Sequence, residues 1–292
     1  MGTNIEVQVW AESKDVGDAA IAKVFEQMEA VNQLMSPYIP SSNLAIVNRD
    51  AANEPVVVDD ALFRLIKEAQ AFSELTHGAF DITFASIGFM YDYRHKAKPN
   101  QQSIEAALDA VNYHHIVLNE AEHSVSFKHE NVKIDLGGIA KGYAVDISIE
   151  ALADMGIEHA LVTAGGDTRL LGDRRGRPWM VGIRDPRDET RQAVTLPLAD
   201  AAISTSGDYE RYFEENGTRY HHILSPKTGK SANEVQSVSI IGPSSTINDG
   251  LSTSVFVLGV VEGITLINTL PDYEAIVLDK HRKLHYSTGL TQ

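Results

Sequence analysis

Stretches that alternate like strands and stretches spaced like helices are interleaved along this chain, and no strand–helix–strand unit repeats. That interleaving argues against a doubly wound parallel sheet and for an α+β fold of mixed sheets with packed helices. Residues 5–10 alternate as a strand does. From about residue 17 to 35, Ala20, Val24, Met28, Val31 and Leu34–Met35 recur at helical spacing, and Ser36-Pro37 ends the helix. Residues 41–53 read as a polar connector with one short helical turn. Asp59 should cap a helix to about residue 76, with Gly78 as its stop. A short helix is expected over 104–111, strands over 115–118, 124–128 and 132–136, and a helix from 139 to 155. Strands are expected at 159–163, 168–171 and 179–184, a helix opening at Asn248 or Asp249, and a last strand over 273–278. The 292 residues suffice for a large core, as one unit spanning 1–292 or as two interlocked α/β subdomains. No low-complexity linker marks a boundary.

Charge narrows the partners. Forty acidic residues against 25 basic leave a formal net charge of -15, which repels nucleic acid and anionic membrane. The basic run 280–283 follows Asp279 and reads as a solvated turn. The chain has no cysteine, so disulfides, thiolate metal sites and cysteine nucleophiles are excluded. Met1-Gly2-Thr3-Asn4-Ile5 has neither the basic patch nor the apolar run of a signal peptide, and Glu6 spoils a myristoylation reading. No stretch reads as approaching the roughly 18 apolar residues of a membrane span, so a soluble chain is expected.

Four polar, glycine-rich segments interrupt the apolar pattern. In Asp135-Leu-Gly-Gly-Ile-Ala-Lys141-Gly142 a strand ends in an acid, two glycines follow and a helix starts. Glycines admit a ligand close to the backbone, and a helix start with a lysine favours an anion. The same residues also suit a tight turn with a surface lysine. Thr163-Ala-Gly-Gly-Asp167 is a second close-approach turn, or a plain turn with Asp167 as its cap. In the run 219–229, His221 and His222 are adjacent in an expected strand and so point to opposite faces. They cannot jointly hold a metal; one can be a general base, or either can be structural. In Asn248-Asp249-Gly-Leu-Ser252-Thr253, Asp249 and Thr253 share a helix face. A carboxylate and a hydroxyl suit Mg²⁺ completed by water and phosphate oxygens. The alternative is Asp249 as the cap of its own helix, with Thr253 bonded back along it.

Taken in order, these segments resemble the ApbE family of FAD:protein FMN transferases. The likeness runs from Met1 to about Gly259. Its signposts are Met1-Gly2-Thr3, Met35-Ser36-Pro37-Tyr38 with Ser42 and Asn48, Gly78-Ala-Phe-Asp81, Asp135 to Asp146, Ala164 to Asp167, Ser204 to Tyr209, His222 to Gly229, and Asp249 to Thr253. The resemblance implies an ApbE-like, T-fold-like architecture and a flavin pocket lined by Met1, Tyr38, Ala79, Phe80 and Asp81, with Tyr38 against the isoalloxazine ring. It implies FAD contacts at Asp135, Lys141 and Ile223. It also implies Mg²⁺ held by Asp249, Thr253 and the Gly138 carbonyl with Ser252 as a further donor, and His222 as the base. Phe80 is expected to be mostly core. The sequence departs from the family at Ile82, where proline is frequent, in the absence of tryptophan between Phe84 and Tyr93, and at Ser225, where aspartate is common.

The implied reaction is magnesium-dependent transfer of FMN from FAD to a threonine hydroxyl, releasing AMP. The implied acceptor is a redox protein with a Ser/Thr-rich flavinylation motif, such as a membrane electron-transfer subunit. Two alternatives use the same residues: an FAD pyrophosphatase giving FMN and AMP, and a non-catalytic FAD-binding protein. Family members are typically exported behind a signal or lipoprotein anchor. The expected location is therefore the periplasm, or the inner membrane facing it, with the export signal removed from this chain.

Overall fold

The computed structural model describes residues 2–291; Met1, expected in the flavin pocket, lies outside the described residues. Along the chain run β1 (Ile5–Val9), α1 (Lys14–Met35), α2 (Asn43–Asp50), β2 (Val56–Val57), α3 (Asp60–Leu75), α4 (Ala85–Gly88) and α5 (Gln101–Ala107). Then come β3 (Ile116–Asn119), β4 (Ser124–Phe127), α6 (Ala140–Asp154), β5 (Ala160–Ala164), β6 (Asp167–Leu171), β7 (Trp179–Asp185), β8 (Asp188–Leu198) and β9 (Ala202–Gly207). The rest is β10 (Tyr212–Glu215), β11 (Thr218–His221), β12 (Leu224–Ser225), β13 (Lys230–Ser231), β14 (Val235–Gly242), α7 (Ser245–Ile267), β15 (Glu274–Asp279) and β16 (Leu284–Tyr286).

The central sheet has the order β1-β5-β6-β9-β14-β15-β16, and each neighbouring pair is antiparallel. Side chains on successive strand residues leave on opposite faces. Ile240 and Val277 therefore join the main core with α1, α6 and α7, while their neighbours Ile241 and Ile276 join Ile183 of the β7–β8 ribbon on the other face. Helices α6 and α7 pack on the sheet and on each other, and α1 covers α6. A smaller sheet, β2-β4-β3, adjoins α2 and α3.

Most expected elements form, with differences that have physical causes. Helix α1 begins at Lys14 rather than near residue 17, because Ser13 caps an exposed first turn that apolar spacing does not register. Helix α2 is two turns rather than one, capped by Ser42. Segment 132–136 is extended but not a strand. Its Ile134 N–H and C=O are both taken by the Asn48 side chain (2.7 and 2.8 Å), and Lys133 N–H by Ser86 Oγ (2.9 Å), so no partner strand is needed. Helix α7 opens at Ser245 behind the cap Ser244, so Asn248 and Asp249 lie inside it. By length and composition α7 is also apolar enough to cross a membrane, contrary to the sequence expectation. Half of its most apolar window is buried inside the fold, where it packs on α6, β9 and β14.

Candidate functional site

Two helix starts built against each other make the floor of the site. The first backbone N–H groups of a helix lack partners within it. At the start of α7, Asp146 of α6 accepts from Ser245 N and Thr246 N (both 2.9 Å), Thr246 Oγ1 (2.7 Å) and Ser244 Oγ (2.8 Å). At the start of α6, where Ile139 supplies no side-chain cap, Gly142 N donates to Asp249 Oδ2 of α7 at 3.1 Å. Asp249 thus caps, but on the other helix rather than its own. Gly142 permits the crossing, since a Cβ there would meet the Ser245 carbonyl and lie 2.9 Å from Asp249 Cβ.

Three charges meet at this crossing. Lys141 Nζ lies 2.6 Å from Asp167 Oδ2 and 3.0 Å from Asp249 Oδ2. Both carboxylates are buried, and Asp167 Oδ1 has no hydrogen-bond partner. Burial, and then the neighbouring Asp167 charge, hold the Asp249 carboxyl well above the ordinary carboxylate range; Lys141 and Gly142 oppose this. Burial alone would lower the Lys141 ammonium, but the two carboxylates outweigh it and raise it. Beside this set, Gly138 packs so closely on Thr253 that a Cβ would lie 3.2 Å from Thr253 Oγ1. Thr253 Oγ1 is 3.2 Å from Ser206 Oγ.

A cavity opens from this floor. Its wall includes Tyr38, Ala79, Phe80, Asp81, Asp135, Gly138, Lys141, His222, Ile223, Asp249 and Thr253. The structure thus brings the expected residues among 2–291 to one place, with Ser252 the exception. Ser252 is not on the wall: its Oγ donates to the Asp249 carbonyl (3.0 Å) and pairs with Ser206 Oγ (2.8 Å), because a serine inside a helix readily bonds back one turn. Tyr38 is 74% exposed at the mouth, its ring 6.4 Å from that of Phe89. Phe80 is buried and packs on Phe72, so it is core and wall at once. The Asp81 carboxylate is occupied by Thr83 N, Thr83 Oγ1 and Tyr113 N (2.6 to 2.8 Å), so it shapes its turn. Asp135 Oδ1 accepts from Gly137 N at 2.6 Å; burial pushes this carboxyl up against that bond and the charges of Arg211 and Lys141.

The two histidines part, although only His221 lies in β11 and His222 stands at the bend just past it. His221 faces the core, with Nε2 2.7 Å from the Ala232 carbonyl and its ring edge-on to Phe256. His222 lies on the wall, and its Nδ1 is shielded without a hydrogen-bond partner. Burial, and then the charge of Arg211, lower the His222 imidazolium to about 3, so the ring is neutral near pH 7. The sequence pattern does not mark Asp167 as a charge partner, Asp146 as a cap or Arg211 on the wall. The first two stand in the glycine-rich signposts; Arg211 had no local signal.

A ring, a helix start and a neutral imidazole lining one cavity suit a ligand with both an aromatic plane and phosphate. The ApbE family model matches residues 1–277, and the chain belongs to that family. Curated relatives named FAD:protein FMN transferase include one from Treponema pallidum, 32% identical over 99% of this chain and 85% of its own length. Another, from Vibrio cholerae, is 33% identical over 99% of this chain and 89% of its own. A crystal structure of an ApbE protein from Thermotoga maritima matches at a TM-score of 0.92 with 35% identity, covering 99% of this chain and 95% of that one. The flavin transferase ApbE from Vibrio cholerae matches at 0.89 with 28% identity, covering 100% and 96%.

Proposed function

We propose that this chain is an FAD:protein FMN transferase, moving the FMN half of FAD to a threonine hydroxyl of an acceptor redox protein and releasing AMP. The observation that carries this reading is the placement of neutral His222, with an unpartnered Nδ1, on the same wall as Asp135, Lys141 and Thr253. The isoalloxazine ring stacks at Tyr38 and the diphosphate lies toward the start of α6, where helix N–H groups favour an anion once a bound cation offsets the two carboxylates around Lys141. His222 takes the proton of the acceptor hydroxyl. The hydroxyl oxygen bonds the FMN-side phosphorus in line, the bond to the AMP oxygen breaks, and AMP leaves with that electron pair.

The donor set fits a hard divalent cation such as Mg²⁺. Two buried carboxylates share one ammonium, Asp167 Oδ1 is unpartnered, and the Gly138 backbone stands against the Thr253 hydroxyl. Among the described residues no group of three His, Cys, Asp or Glu could hold a metal, so hydroxyl and carbonyl oxygens must complete any such shell. Asp249, Thr253 and the Gly138 carbonyl are the residues that would hold it. Bound there, the ion would neutralise charge on the diphosphate.

The test is incubation with FAD, Mg²⁺ and a domain bearing a candidate acceptor threonine, read by intact mass. A gain of one FMN, absent with EDTA and absent when that threonine is alanine, is expected. Free FMN and AMP with no mass gain would assign the pyrophosphatase reaction instead. Bound FAD that stays intact would leave only flavin binding.

A further inference from the structure

Two permanent cations line the cavity, Lys141 and Arg211, and they differ in state. Lys141 sits between two carboxylates, so its charge is more than cancelled. Arg211 is exposed, and its guanidinium makes no hydrogen bond or ion pair with any described residue. In a chain of net charge -15, an unpaired guanidinium on a cavity wall is a seat for an anion.

The segment presenting it is held firmly. Asp208 accepts both terminal nitrogens of Arg187 at 2.7 and 2.6 Å, and Arg219 at 3.3 Å. Glu210 accepts from Arg184 at 2.8 Å, and that guanidinium lies 4.5 Å from the centre of the Tyr209 ring. The backbone carbonyl of Arg211 itself accepts from His222 N at 3.1 Å. Residues 208, 209 and 210 are thus each engaged, and 211 alone in this run has a free side chain. It lines the same cavity as Tyr38, Asp135 and His222, and its charge acts on all three.

An in-line transfer brings the attacked phosphorus next to the base that takes the hydroxyl proton. Arg211 shares the cavity wall with His222, and their backbones are bonded, so a phosphate brought to His222 comes within reach of that guanidinium, unpaired among the described residues. Under the transferase reading, on which this inference rests, that is the FMN-side phosphate. We propose that Arg211 binds the FMN-side phosphate of the substrate and makes the cavity prefer a phosphorylated flavin over riboflavin.

The test titrates flavin fluorescence in EDTA with FMN and with riboflavin, on the full chain and on its Arg211→Gln and Arg211→Lys variants. The parent chain is expected to bind FMN about tenfold more tightly than riboflavin, the scale of one charge-assisted contact. Arg211→Gln should abolish the preference and leave riboflavin affinity unchanged. Arg211→Lys should retain part of it, since the charge remains but the two-pronged geometry does not. An FMN preference intact in Arg211→Gln would overturn the proposal, as would equal weakening of both flavins, which would mean the side chain packs on the ring. If the parent chain does not bind FAD in the same titration, the transferase reading itself falls, an outcome distinct from the other two; FAD bound with neither FMN nor riboflavin bound would overturn the proposal alone.

Discussion

Replacing Asp146 by alanine removes a residue that touches no cavity atom and yet should disable the site. Its Oδ1 accepts from Ser245 N and from Arg169 Nη1 (2.8 Å), and its Oδ2 from Thr246 N, Thr246 Oγ1 and Ser244 Oγ. The side chain is 9% exposed and that of Arg169 is 26% exposed, so solvent screens the pair only in part. Loss of a helix cap costs about 1 kcal/mol, and truncating one partner of a buried ion pair about 3–5. Discounting for the exposure of Arg169, the alanine variant should lose about 3–4 kcal/mol. For a chain of 292 residues that is a Tm drop of about 5–6 °C by calorimetry. Asparagine should be nearly as damaging. In either orientation its NH2 group meets another donor, the backbone N–H of Thr246 on one side or the backbone N–H of Ser245 and the Arg169 guanidinium on the other. The start of α7 would then fray, Asp249 would lose its place one turn further along, and FMN transfer should fall with stability. A Tm within 2 °C of the parent for alanine, or an asparagine variant as stable as the parent, would refute reciprocal capping as the basis of the site.

Other outcomes follow from the same geometry. Asp249→Ala should lose transfer and its metal dependence together; full magnesium-stimulated turnover in that variant would remove Asp249 from the donor set. His222→Ala should retain FAD binding by fluorescence titration and lose transfer, whereas equal loss of both would make it a binding residue. His222 also carries a pH signature. Its folded value is depressed to about 3 while the unfolded chain protonates near 6.5, so protons favour the unfolded state in that window. The Tm of the parent should therefore fall more steeply than that of His222→Gln as pH drops from about 6.5 toward 4, and parallel curves would contradict the burial of the ring. Tyr38→Ala should weaken FAD about tenfold, the scale of one aromatic stack, while barely moving Tm because the ring is 74% exposed.

Elements with regular burial were legible in the sequence. The buried face of α1, Ala20, Val24, Met28, Val31 and Met35, is the one its spacing marks. Asp59 caps α3, and the helix stops before Gly78, which takes a positive φ of 79°. Segment 132–136 was misread because its apolar alternation is real, but its hydrogen bonds go to Asn48, 86 residues away. The pairing of Asp249 with Thr253 could be read from their spacing, whereas the helix that Asp249 caps could not. Arg211, between Glu210 and Tyr212, looked like any surface charge, since only the folded chain shows which neighbours are engaged.

What the chain order alone determined were the features set by neighbours a few residues apart. These are the break before α6 at Gly137-Gly138 and the shared face of Asp249 and Thr253. Tertiary structure decided their chemical state. Lys141 finds Asp167 and Asp249 across 26 and 108 residues, and His222 is neutral because burial and Arg211 make it so. Desolvation and Coulomb interaction depend on distance through space and on what excludes water, and neither is encoded in local spacing.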